Sequence, residues 1–162
     1  MRITSEVDYA LRIMRALAVS ADCCLHNGCG GECRGSCKID AKTISETIGV
    51  PPQFTLKILR KLMAGGLVKS YKGMSGGYAI AMKPDDITMR AVVETIDGPF
   101  MISKCLSEDY ECTRAQIEND GNKDCCYFHR VFDSINAKIA EELDKITLGM
   151  AIRGEKPKQD NN

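Results

Sequence analysis

Apolar residues recur at three- and four-residue steps through the start of the chain, at Val7, Ala10, Leu11, Met14, Leu17 and Ala18. That period predicts an amphipathic helix over about residues 5–21. The pattern stops at DCCLHNGCGGECRGSCKIDA, where four glycines and five cysteines predict a loop. Thr43 and Glu46 have the spacing of a capping box and predict a short helix that Gly49 closes. A turn at Val50, Pro51 and Pro52 leads to a third helix, QFTLKILRKLMAG. Next, LVKSYKGMSGGYAIA reads as two short strands joined by a glycine-rich turn. Residues 87–97 form another amphipathic pattern, and 98–124 read as loop. Phe132, Ile135, Ile139, Leu143 and Ile146 then mark a long helix over about 127–148.

Helix, short helix, turn, helix and hairpin is the order of a winged helix-turn-helix. The expected fold is mainly α with a small β-hairpin: a winged helix-turn-helix plus a long C-terminal dimerisation helix. The DNA-binding part spans 1–83 with a cysteine-rich insert at 22–41. Residues 84–150 hold a cysteine-containing loop and the dimerisation helix, and 151–162 form a disordered tail. The long helix needs a surface to pack on, and a two-fold partner supplies one.

Charge sharpens this reading. The net charge of the 162 residues is zero, yet 49–83 carry six basic residues and no acid, while 84–145 carry fourteen acids against seven bases. A segregated basic patch is the footprint of a polyanion. On a wheel of about 100° per residue, Gln53, Lys57, Arg60 and Lys61 share one stripe about 100° wide. Phe54, Leu56, Ile58, Leu59, Leu62 and Met63 cover the rest. Such a helix suits the major groove, with cations on phosphates or guanine edges and Gln53 placed to read a base. Lys72, at the hairpin tip among glycines, reaches the backbone or minor groove. Gln53, Thr55, Lys57, Arg60, Lys61, Lys72 and Ser75 make up the expected contact set to double-stranded DNA.

No apolar run approaches the length of a membrane span. Glu6, Asp8, Arg12 and Arg15 interrupt the N-terminal apolar pattern, which makes it a poor signal peptide and predicts a cytoplasmic protein. In a reducing compartment nine cysteines, an odd number, point to metal or redox chemistry before disulfides. Cys105, Cys112 and then Cys125 or Cys126 are too loosely spaced for a zinc finger. They suit an iron–sulfur cluster, whose ligands reach around a larger object. His129 follows Cys126 by three residues. No glycine-rich phosphate loop is present and neither histidine has a triad partner in sequence, which argues against an enzyme.

The opening MRITSEVDYALR, the wing GLVKSYKGMSGGY, the helix AVVETIDG, the three-cysteine loop and ITLGM together resemble the Rrf2 family of winged-helix regulators, with its IscR, NsrR, CymR and RirA types. The resemblance covers 1 to about 150. It implies a homodimeric transcription regulator on a palindromic operator, carrying a [2Fe–2S] or [4Fe–4S] cluster on Cys105, Cys112 and Cys126. For the fourth ligand it offers Asp8 from the partner chain, as in NsrR-like members, or His129, as in IscR-like ones. Cys125 is then a supernumerary or exchangeable thiol. The cluster would report oxygen, nitric oxide, redox state or iron supply, and its loss would re-bias the dimer on DNA.

Two features depart from the family pattern. The interval between Cys112 and Cys126 is longer than usual, and the insert with Cys23, Cys24, Cys29, Cys33 and Cys37 is additional. Cys24, Cys29, Cys33 and Cys37 form a possible second metal site, redox-active disulfides or an unliganded thiol loop. Two rival functions stand beside the cluster sensor: a cluster-free, thiol- or zinc-controlled regulator, and a metal carrier or electron-transfer protein.

Overall fold

The computed structural model describes residues 3–26, 38–73, 76–113 and 122–156, with the backbone alone for 22–26. Helix α1 spans Ser5–His26. The Thr4 hydroxyl caps it by accepting from the Val7 amide at 3.2 Å, and donates to Asp97 at 2.8 Å. Val7, Ala10, Ile13, Met14, Leu17 and Ala18 are fully or almost fully buried. The helix runs past Ala21 into the stretch expected to be loop, because the first glycine after Ala21 is Gly28. Cys23 and Cys24 therefore stand on helical backbone, while Cys29, Cys33 and Cys37 lie outside the described residues.

Helix α2, Ala41–Ile48, begins earlier than the Thr43 capping box predicts. Asp40 holds the cap: one carboxylate oxygen accepts from the Lys42 and Thr43 amides, each at 3.0 Å, and the other from the Thr43 hydroxyl at 2.6 Å. A carboxylate at this position satisfies two orphan amides, so Thr43 is a partner of the cap and not its centre. Gly49 closes α2 with φ of 66°, a left-handed conformation that favours glycine. Helix α3 spans Pro52–Ala64, with Pro52 at its first position, where the missing amide costs nothing.

Strands β1 (Val68–Tyr71) and β2 (Gly77–Ile80) pair antiparallel, with Val68 opposite Ile80 and Tyr71 opposite Gly77. Ile39 adds a short bridge to Tyr78 on the outer edge of β2. A Cβ on Gly77 would come within 2.8 Å of the Ile39 carbonyl, so this close approach needs glycine.

Helix α4 spans Met89–Asp97 and is capped by Thr88. Helix α5 spans Tyr127–Lys145, and α6 spans Leu148–Arg153. The long helix expected to reach residue 148 thus ends three residues early. Ile146 and Thr147 are extended there: the Ile146 carbonyl accepts from the Met89 amide at 2.7 Å, and Ile87 accepts from Leu148 at 3.0 Å. Thr147 then caps α6, which returns to pack on α1. Residues 151–153, expected in a disordered tail, belong to this helix, and 157–162 lie outside the described residues. One hydrophobic core joins Leu17, Ile58, Leu62, Ile87, Val92 and Leu148, so it continues across the boundary expected after residue 83.

Candidate DNA interface and cysteine loop

The turn between α2 and α3 sets the direction of α3. The Val50 carbonyl accepts from the Ser45 hydroxyl at 2.7 Å and the Thr55 hydroxyl at 3.4 Å, and Thr55 also reaches the Pro51 carbonyl at 3.3 Å. Thr55 is completely buried, so its side chain faces the core and offers nothing to a ligand at the surface. Its inclusion in the contact set is corrected on that ground. Ile58, Leu59 and Leu62 complete the buried face of α3.

Gln53, Phe54, Lys57 and Arg60 lie on the exposed face. Phe54 is 50% exposed although the wheel grouped it with the core. It sits about 20° outside the basic stripe on that wheel, which is the signal that identifies it. An exposed phenyl ring beside Gln53 suits a thymine methyl group. Lys57 and Lys61 both pair with Glu6 of α1, the latter at 2.6 Å, and Lys61 also donates to the Ile96 carbonyl at 3.1 Å. Hydrogen bonds from Lys57 and then Lys61 hold the Glu6 carboxyl below the usual carboxylate range. Lys61 therefore faces α1 and α4 as well as the helix surface. Nothing local in either helix announces Glu6 as a partner; the pairing depends on how α1 crosses α3.

Lys72 is exposed at the hairpin turn, and Ser75 lies outside the described residues. Lys38 adds a cation beside the wing, its amine 4.4 Å from the centre of the Tyr71 ring. The bridge between Ile39 and Tyr78 brings it there.

The two short turns that carry Cys105 and Cys125 lie against α5. Cys105 sits in a short 3₁₀ turn, Lys104–Leu106, with its sulfur 3.2 Å from the Ser103 hydroxyl. A second turn, Lys123–Cys125, precedes Cys126 at the start of α5. Lys123 donates to the Ser107 carbonyl at 3.0 Å, which ties the two turns together. Asn136 of α5 holds the preceding chain by accepting from the Ile102 amide at 3.0 Å and donating to the Phe100 carbonyl at 3.2 Å. Cys105, Cys112 and Cys126 are half-buried and Cys125 is exposed.

His129 is largely buried, its side chain 17% exposed. Its Nδ1 is buried with no hydrogen-bond partner, and its Nε2 faces Asp124 at 3.8 Å, beyond hydrogen-bond distance. Asp8 lies on α1 and pairs with Arg12 at 2.8 Å. Among the described residues, no three histidine, cysteine or acidic side chains converge as a metal site within this chain. The donor types themselves, cysteine sulfurs and an imidazole nitrogen without a partner, suit a soft iron centre. The structure therefore places the two cysteine turns together without assembling the ligand set that the sequence predicts.

Three comparisons place these features among known proteins. The model of the Rrf2 family, described as an iron-dependent transcriptional regulator, matches residues 31–154. The transcriptional regulator IscR of Aliivibrio salmonicida is 27% identical over 149 residues, covering 92% of this chain and 76% of the relative. The regulator NsrR of Bacillus subtilis is 27% identical over 155 residues, covering 91% of this chain and 88% of the relative. The structure of CymR, the global cysteine regulator of B. subtilis, superposes with a TM-score of 0.63 at 25% identity, covering 96% of this chain and 99% of that one. With the helix-turn-helix, the wing and the exposed basic face already established, the family match over more than half the chain settles its class. This chain belongs to the Rrf2 family of DNA-binding transcription regulators, a family without enzymatic activity.

Proposed function

We propose that this regulator is a cytoplasmic homodimer that binds a palindromic operator and carries an iron–sulfur cluster as its sensor. The observation that carries the reading is His129: a largely buried imidazole whose Nδ1 lacks a partner, three residues after Cys126. A buried polar atom without a bond is costly, and ligation would remove that cost. Cys105, Cys112 and Cys126 would supply thiolates, with His129, or Asp8 of the second chain, as the fourth ligand. A cluster of this kind would supply a centre responsive to oxygen, nitric oxide or iron supply. The chain's own part is to hold the two cysteine turns together through Lys123 and Ser107, next to the helix that would join the subunits.

Dimerisation is supported by α5, on which Tyr127 and Phe128 are 67% and 59% exposed. Tyr127, Arg130, Val131, Ser134 and Ile135 line a shallow groove along the same helix.

A cluster-free reading has its own support. Cys125 is exposed and the ligands do not converge in one chain. In that reading the cysteines act as thiol sensors, with the same DNA-binding dimer beneath them.

Anaerobic purification followed by absorption spectroscopy and iron, sulfide and zinc analysis separates the two. Visible absorption with iron and sulfide in comparable amounts, lost when Cys105, Cys112 and Cys126 are replaced by alanine, is the expected result. A protein that stays colourless after iron and sulfide reconstitution removes the cluster reading. Cluster retention in the triple variant moves the site elsewhere in the chain. Replacing His129 and Asp8 separately then identifies the fourth ligand.

A further inference from the structure

We propose that Glu6 is an electrostatic latch on the recognition helix, holding Lys57 and Lys61 against α1 so that they are withheld from DNA phosphates. This rests on the reading of α3 as the helix that enters the major groove. It does not depend on a cluster.

The latch is built from three elements. Lys57 and Lys61 stand four residues apart on α3, which places their amines on one side of the helix. Glu6 divides its two carboxylate oxygens between them, Oε1 to Lys57 and Oε2 to Lys61. Lys61 is held further by the Ile96 carbonyl near the end of α4. The first turn of α1 is itself anchored, because its cap residue Thr4 donates to Asp97 of α4 at 2.8 Å. Glu6 is thus braced in place by α4 and is not a freely swinging surface acid.

The consequence is a division of labour along α3. Arg60, which makes no ion pair among the described residues, and the neutral pair Gln53 and Phe54 face outward. Lys57 and Lys61, which the sequence alone places in the DNA contact set, already have an anionic partner in the folded chain, and a phosphate must displace it before it can use their charge. Neutralising a phosphate releases counterions, with a salt slope of about 0.9 per contact. A latched lysine contributes little to that slope, so Glu6 limits sequence-independent binding while leaving base reading to the outer stripe.

The test is Glu6→Gln, compared with wild type by fluorescence anisotropy. The probe is a mixed-sequence duplex of about 30 base pairs, titrated under reducing conditions from about 50 to about 200 mM salt. The expected result is tighter binding at low salt and a slope steeper by up to about 1.8, equivalent to about tenfold more affinity lost across that range. The Lys57→Ala/Lys61→Ala pair should change the slope little in wild type and cancel the gain in the Glu6→Gln background. A general charge effect would instead be additive in this cycle. Unchanged slope in Glu6→Gln, or a gain that survives loss of both lysines, overturns the latch while leaving DNA binding intact. Failure of every well-folded variant, wild type included, to bind duplex at low salt overturns the groove-binding reading beneath it. Circular dichroism and thermal melting establish that each variant is folded.

Discussion

Val50 offers its carbonyl to two hydroxyls, those of Ser45 and Thr55, and this small arrangement decides how α3 leaves α2. Neither hydroxyl is available to a ligand, since both residues are buried. Thr55→Val keeps the shape and removes the donor, so it should lower stability by about 1 kcal/mol while leaving the salt dependence of duplex binding unchanged. Urea denaturation and anisotropy titrations on the same samples check both halves. Loss of DNA binding at unchanged stability would return Thr55 to the contact set. The correct placement is within reach of the sequence: Thr55 lies about 160° from Lys57 on the helical wheel, on the side of the apolar residues. What the sequence does not hold is Glu6. Its partners are more than fifty residues away, and only the crossing of α1 over α3 brings them within bonding distance.

At the scale of elements, regular periodicity was legible and ends were less so. The hairpin, α3 and α4 follow from alternating or helical apolar spacing, and Gly49 marks its helix end through a left-handed conformation. Thr43 and Glu46 satisfy a capping motif, but Asp40, three residues earlier, pre-empts it with a charged acceptor, so α2 starts before the motif does. That acceptor has a measurable acid limb. The Thr43 hydroxyl, followed by the Thr43 amide, lowers the Asp40 pKa from its ordinary 3.8. A carboxylate depressed in the fold stabilises it above pH 3.8, and that contribution is lost as pH falls through the lower, folded value. Asp40→Asn retains an acceptor oxygen without a titrating charge. Urea midpoints measured from about pH 5 to about pH 2 should therefore fall less steeply in the variant than in wild type. Parallel curves would show that the cap does not depend on the charge.

For the whole molecule, the exposed apolar row on α5 and the return of α6 to the core act in opposite directions. Leu148 packs in the core with Ile87, and Arg153 pairs with Asp85 at 2.9 Å, so α6 is committed to its own subunit. Along α5 only Ala140 is buried, and Phe132 and Ile135 remain 36% and 42% exposed. Apolar periodicity in the sequence revealed that this helix needs a surface, but it ran on through Ile146 and Leu148 and concealed the break at Thr147. The candidate cysteine site is legible in the same partial way: residue types, spacing and the family resemblance name its candidate donors, whereas among the described residues they do not converge within one chain. If α5 is the seam of the proposed dimer, Ile135→Lys should weaken association without unfolding the subunit, because this side chain is not part of the buried core. Removing one such side chain from an interface costs about 1.5–3 kcal/mol, or about 10- to 100-fold in dissociation constant. Light scattering over a dilution series should show a dimer in wild type and a shift towards monomer in the variant, with the melting profile of the helices retained. An unchanged dimer would place the seam on another face of the subunit.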